Sequence, residues 1–466
     1  MFETLPIKRY QHYSTMQPFN WKNLTLPLLS ALLIALIAWS EIIVRPVPQT
    51  GRVEVVYWDK YTEFEETALR KIVDYYNQSQ DKIYVNFLSV SDIQSKTLMA
   101  IAGGAPPDIA GLFAPDIAQY ADANALTPLD DYCSEAGLTQ KHYIPFFWDV
   151  CNYRGHTYAL PSAAGSTALH LNTEMLIKAG LDPQKPPKTI EELDAMVEKI
   201  TKKNPDGTLQ AAGFFPSEPD WWVWSWGYFF GGRLWDGKSR ITANSPENIR
   251  AYEWVSHFSK RFGANHVLNF RAGFGNFSSP QNAFLSNKVA MEMQGVWMDN
   301  FVTRYAPTVK YTVAPFPYPA DRPDLANPTL ADTDVFVIPR GAKHPNEAFE
   351  FIKFMESQKG MEMLTLGHHI ISPLIQQSKE LQTKHPHPYI KLFAELPLSE
   401  NTYFPPKIGI WREYQSEMEN AFQEVTLLHK TPKEALDRVT ERMQPKLDNY
   451  LKVRSLREGL SEGQSE

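Results

Sequence analysis

The residues best suited to chemistry in this chain are aromatic. Among 466 residues there are 12 Trp, 21 Tyr and 26 Phe, and residues 219–235 read PDWWVWSWGYFFGGRLW. Such side chains fill cores, and in a cleft they also present flat faces to a ligand. Trp221, Trp222, Trp224 and Trp226 cannot all face one ligand. At helical spacing Trp222 and Trp226 share a face, so one or two are expected in a cleft and the rest in packing. Trp58 is followed by Asp59, and Asp332 and Asp334 stand before the β-branched run Val335–Ile338. Carboxylate oxygens accept charge-assisted hydrogen bonds from hydroxyls. The plainer role of such Asp residues is loop capping.

Other chemistries find less support. Glu218 and Asp220 lie two residues apart on one loop, too close in the chain to flank a glycosidic bond at the roughly 5–9.5 Å such chemistry needs. No Gly-x-Ser-x-Gly elbow occurs, and Gly103-Gly104 lacks the Lys and Ser/Thr of a phosphate loop. His368-His369 and the Pro-rich His385–Pro388 run suit solvated or core histidines better than a metal site. Two cysteines are too few for a disulfide scaffold or a four-Cys zinc site. A net charge of −7 gives no general attraction to nucleic acid. No cofactor, metal or nucleic acid is expected.

The elements that must position these residues follow from periodicity. Val53–Trp58, Lys82–Phe87 and Pro107–Leu112 read as strands, separated by helical patterns over residues 61–79 and 93–102. That alternation implies an α/β fold with a parallel sheet, whose ligands gather at the carboxyl ends of strands. Trp58, Asp59 and Phe113 then share one rim. Thr189 with Glu192 forms a capping box, and Ser245-Pro246 opens a helix reaching Phe262. Pro432 starts the last helix, and residues 452–466 read as a flexible tail.

Residues 24–44 form one long apolar stretch after Lys8, Arg9 and Lys22. We read 1–23 as a cytoplasmic segment, 24–44 as an uncleaved transmembrane signal anchor and 45–52 as a linker. Cleavage after Ala38-Trp39-Ser40, releasing a secreted form, is the alternative. Either way the remainder lies outside the cytoplasm. Such a compartment permits a Cys133–Cys151 bridge, with two buried thiols as the other reading.

Several blocks in order carry a resemblance. They are Ala102–Asp108, Ala159–Pro161, Leu169–Met175, Lys178–Leu181, Pro186–Thr189 with Glu192-Leu193, Ala283–Leu285 through Ala290-Met291 to Gly295-Val296-Trp297, Val335–Pro339 with Asn346–Ala348, and Thr431–Leu436. From about residue 53 to 450 the chain resembles the family 1 extracellular solute-binding proteins, the carbohydrate receptors of ABC importers that include maltose-binding protein. Leu171-Asn172 stands where that family usually has Tyr-Asn.

The resemblance implies a periplasmic-binding-protein type II fold: two α/β lobes, a hinge and an interlobe cleft. Lobe one would hold 53–165 and 318–370, and lobe two 166–317 and 371–451. It also implies cleft positions for Trp58, Trp297, Trp411 and Phe113, and hinge-side hydroxyls at Ser166 and Thr167. The expected function is capture of a mono- or oligosaccharide by a monomeric, non-enzymatic protein, for delivery to ABC permease subunits. A membrane-tethered sensor subunit and a glycan-acting enzyme are the rivals. Aromatic and acidic candidates favour an uncharged sugar over a phosphorylated one, which would want Arg or Lys. Trp297→Ala and Trp411→Ala are expected to weaken binding while nearly sparing the thermal midpoint.

Overall fold

The structure, a computed structural model, describes residues 51–462, with side chains as far as Arg457. The predicted anchor over 24–44 lies outside the described residues, among which no helix is long and apolar enough to cross a membrane.

The first three predicted strands form. β1 (Val53–Asp59) lies between β2 (Ile83–Ser89) and β3 (Ile109–Phe113), parallel to both. Alternation does the work here: Val55, Tyr57 and Asp59 turn inward from β1, as do Ile83, Val85 and Phe87 from β2. The helix Glu63–Ser79 covers them with Leu69, Ile72, Val73 and Tyr76, spaced as one helical face requires.

Two long strands then carry the chain between cores. β4 (Leu160–Asn172) contributes Leu160, Ala164 and Ala168 to the core built on Val55 and Tyr57, and Leu169 and Leu171 to a second core built on Trp254 and Phe258. Its last half pairs antiparallel with β5 (Met291–Gly295) and β6 (Tyr311–Ala314). Its first half pairs antiparallel with β7 (Thr329–Val337), which also runs antiparallel to β3. β7 in turn places Leu330 in the second core and Phe336 in the first. The short strand β8 (Thr402–Tyr403) pairs parallel with the start of β7.

Local predictions hold at the caps. Thr189 Oγ1 accepts the Glu192 N–H at 3.2 Å ahead of the helix Ile190–Ile200, and Ser245 caps the helix Pro246–Phe262. Elsewhere the fold departs from the sequence reading. Asp332 and Asp334 lie inside β7 rather than in a loop before it, because pairing with β4 from Ala331 onward, and with Thr402-Tyr403 at Thr329 and Leu330, extends the strand back past them. Residues 219–225 are turns, followed by a short 3-10 helix at Trp226–Phe230, so Trp222 and Trp226 do not share a helical face. The last helix runs Pro432–Glu462, through the segment read as a tail, and docks by Tyr450 and Arg457 on Asp122. Ile371, Leu374, Phe393 and Leu396 pack with the first core, although the sequence reading grouped 371–451 with the second.

The expected Cys133–Cys151 bridge is not formed. Both are buried free thiols, Cys133 in the Val55–Tyr57 core and Cys151 in a neighbouring cluster around Ile117 and Val335. Burial raises the Cys133 thiol pKa to about 12 and that of Cys151 well above the ordinary value.

Candidate ligand-binding site

A groove of about 260 Å³ opens where the two core-to-core strands pass. Its floor is Leu330, Ala331 and Asp332 of β7. Phe113, ending β3, and Gln94, from the helix Ile93–Ala102, come from the first core's side. Trp221, Trp222 and Trp224 face them, with Tyr403 and the opening of the helix Trp411–Thr426. That helix supplies Trp411, Arg412 and Gln415.

The tryptophans support one another. Trp411 and Trp224 meet edge to face at 4.9 Å, and Trp222 is tilted 35° against Trp297 at 5.9 Å. Trp297 does not itself line this groove. It sits beneath Trp222, fixed by an Nε1–H hydrogen bond to Gln294 Oε1 at 3.1 Å and packed on two glycines. A Cβ on Gly165 would fall 2.8 Å from the Trp297 ring, so the crossing strand needs glycine there. Trp221 is 42% exposed, whereas Trp411 is 1% exposed and belongs to the second core. The expectation that Trp411→Ala spares the thermal midpoint is therefore withdrawn, since truncating a buried Trp leaves a large cavity. Trp297, wedged against three apolar clusters, meets the same objection.

The polar candidates divide. Asp332 lines the groove, its Oδ1 accepting the Thr333 N–H at 2.7 Å, and burial pushes its carboxyl up to about 8. Asp59 and Asp334 lie behind Phe113, sharing Lys60 Nζ at 3.5 and 3.1 Å, with Lys60 Nζ 4.4 Å from the Phe113 ring centroid. Asp334 also accepts the Tyr61 hydroxyl at 2.6 Å, and Asp59 accepts that of Tyr57. Burial opposes the Lys60 charge, but Asp334 and Asp59 outweigh it and hold the amine's pKa above its usual value. The same burial raises Asp334, and takes the neighbouring Glu65 to about 7.

Ser166 and Thr167 act as staples between strands. Ser166 Oγ donates to the Phe393 carbonyl at 2.8 Å, and Thr167 exchanges hydrogen bonds with Thr329 and Leu330. Trp226 is core, its Nε1–H on the Pro216 carbonyl and its ring among Phe214, Trp254 and Phe316. Trp58 packs on the cluster around Ile93 and Leu112.

Sequence reasoning passed over Gln94, Tyr403, Arg412 and Gln415. Gln415 was within reach, being one helical turn after Trp411. Arg412 Nε donates to Asp116 Oδ1 at 2.6 Å, which joins the helix opening to the turn after Phe113. A cleft with indole and phenyl faces, one guanidinium, two amides and a carboxyl can hold a ligand that is apolar on its faces and hydroxylated at its edges.

Comparison with known proteins agrees with this architecture. The family model of the bacterial extracellular solute-binding proteins matches residues 61–362. The chain belongs to that family. Within it, the maltotriose-binding protein of Pyrococcus abyssi (strain GE5 / Orsay) is 25% identical over 271 residues, 58% of this chain and 54% of that one. This solute-binding chain thus matches about half the length of that relative. The arabinooligosaccharide-binding protein of Bacillus subtilis (strain 168) is 22% identical over 406 residues, 84% of this chain and 87% of that one. Among solved structures, CpMnBP1 with mannotriose bound superposes with a TM-score of 0.75 at 27% identity, covering 84% of this chain and 99% of that one. Family membership places the solute-binding chain among extracellular proteins, as the sequence resemblance implied.

Proposed function

We propose that this solute-binding protein captures a mono- or oligosaccharide in the groove and passes it unchanged to ABC transporter permease subunits. The observation that carries the reading is the groove itself: Trp221, Trp222 and Trp224 from one side face Phe113 from the other across the strand β7. Sugars present weakly apolar C–H faces and hydroxyl edges, which suits indole walls and planar polar side chains. The sugar-binding relatives and the mannotriose-bound neighbour support it.

The two cores are then the two lobes, joined by β4 and β7, and ligand draws them together by hinge bending. Core membership supports moving the third crossing from residue 370 to the neighbourhood of Leu396, the last member of the first core. Residues 24–44 tether the monomer to the membrane with the lobes outside, which raises the effective concentration at the permease. Retention in membranes after salt washing, at the mass of the full chain, tests the tether.

A thermal-shift screen against mono- and oligosaccharides tests capture, since a ligand that binds only the folded state raises the midpoint. A clear shift with at least one sugar, recovered chemically unchanged, is expected. No shift across the panel, or conversion of the sugar, refutes the reading.

A further inference from the structure

Glu218 and Asp220, too close in the chain to serve as a glycosidase pair, are held by one cation instead. Arg271 ends the helix Ala264–Arg271 and grips the chain just ahead of the groove tryptophans at three points. Its Nε–H donates to Glu218 Oε1 at 2.5 Å, its Nη2 donates to the Ser217 carbonyl at 2.9 Å, and Nη2 lies 3.2 Å from Asp220 Oδ1. A guanidinium is planar and rigid, so acceptors gathered around it are fixed relative to one another. The helix beneath is anchored in turn: Val267 belongs to the second core, and Phe270 meets Phe215 edge to face at 6.0 Å.

The segment so gripped has no helix or strand to hold its shape. Residues 217–224 are turns and bends, closed at the base by the Trp226 Nε1–H on the Pro216 carbonyl. Trp221, Trp222 and Trp224 leave this loop to line the groove. Asp220 has a φ of 76°, in the left-handed region that favours glycine. A residue in that region stays there only when its surroundings over-determine it, and Arg271 binds the chain on both sides of the turn.

Charge ties the same arginine to the groove from below. Glu218 is 5% exposed, and its charge reaches the fully buried Glu292. Glu292 Oε1 accepts the side-chain amides of Asn282 at 3.1 Å and Gln294 at 3.2 Å. Gln294 in turn holds the Trp297 indole, which lies beneath Trp222. Without Arg271, Glu218 is a buried carboxylate with its ion-pair partner gone and a second acid nearby, which is strongly unfavourable. Turning it out to water moves the loop that carries the tryptophans.

We propose that Arg271 is a positioning residue for sugar capture: it sets the turn from which Trp221 and Trp222 present their rings, without touching the sugar itself. This rests on the carbohydrate reading and goes beyond it, because Arg271 lies outside the lining of the groove.

The experiment compares the full chain with Arg271→Met, Arg271→Lys and the double variant Arg271→Met/Glu218→Gln. Titration calorimetry is run well below the melting transition with glucose, galactose, mannose and the β-1,4-linked glucose and mannose disaccharides. Binding stoichiometry reports the folded fraction, so affinity is read on folded chains even where the midpoint falls. Arg271→Met should bind the saccharide that the natural protein holds best about tenfold more weakly or worse, as when an indole contact is lost. Arg271→Lys, a point charge without the planar fork, should recover part of that loss. The double variant, freed of the unpaired carboxylate, should regain thermal stability but not affinity, and its near-ultraviolet indole spectrum should stay altered. Arg250→Met, which breaks a surface pair with Asp321, should bind as the natural protein does. Natural affinity in Arg271→Met, or affinity that returns with the midpoint in the double variant, overturns the proposal and leaves carbohydrate capture standing. If the natural protein binds no member of the panel, carbohydrate capture falls and the proposal with it.

Discussion

Trp224 and Trp411 meet edge to face, ring centroids 4.9 Å apart at 74°, although 187 positions separate them in the chain. Each lines the groove and each is a member of the second core. Truncating either ring removes core packing and groove wall together.

Trp411→Ala should cost about 3–5 kcal/mol of stability, the usual range for emptying a buried Trp site. Trp221→Ala should cost less, about 1 kcal/mol, because the residue is 42% exposed and its chief packing is the edge-to-face contact with Phe277 at 4.3 Å. Trp221→Ala should nonetheless weaken a sugar found by the screen. Denaturant melts and calorimetry on both variants check this, and unchanged affinity in Trp221→Ala would remove that ring from the site.

Gly165→Ala should disturb the groove indirectly. The added methyl meets the Trp297 ring, which supports Trp222. Overpacking of this kind costs about 1–3 kcal/mol. The near-ultraviolet circular dichroism of the coupled indoles should change with it, while Gly104→Ala, strained by its φ of +71° but with nothing within 4 Å, should leave that spectrum alone.

Three buried histidines should each withdraw stability as pH falls below about 6.5. Burial lowers His170 to about 3, with the nearby His387 adding to the effect, and takes His368 and His387 to about 4. At these three sites the unfolded chain therefore binds more protons than the folded one between those values and the ordinary 6.5, so their contribution falls as pH falls through that window, while Glu65, Glu292 and Asp332, raised by burial to about 7, 8 and 8, act in the opposite sense. Between pH 7 and 4 the thermal midpoint of the natural protein should lose ground relative to that of His387→Gln. An unchanged slope in that variant would assign the acid sensitivity elsewhere.

Neither thiol should react in the folded state. Cys133 and Cys151 are buried, and the thiolate is the reactive form. Ellman titration should find almost no reaction in buffer and two thiols per chain in denaturant. A count of zero in denaturant would restore the disulfide that the exported location first suggested.

Much of the fold was legible in the residues because its signals are local. The alternation Val53–Trp58, the capping box at Thr189–Glu192 and Pro246 after Ser245 each act within a few residues, and each forms as read. Ordered blocks such as Leu169–Met175 likewise pointed to the family that the comparison shows. Asp332 was the reverse case. Its neighbours looked like a loop until pairing with β4, more than 160 positions earlier, drew them into a strand and turned the carboxyl into the groove.

By itself the sequence determined the parallel α/β start, the caps, the indole-rich composition of the site and the family. The tertiary structure alone decided which indoles line the groove, that Trp226 packs inward while Trp221 and Trp224 line it, and that Arg412 bonds to Asp116. The physical reason is range. Propensity and periodicity act over one or two turns, whereas burial and ion pairs such as Arg412 with Asp116 depend on groups brought together from hundreds of residues apart.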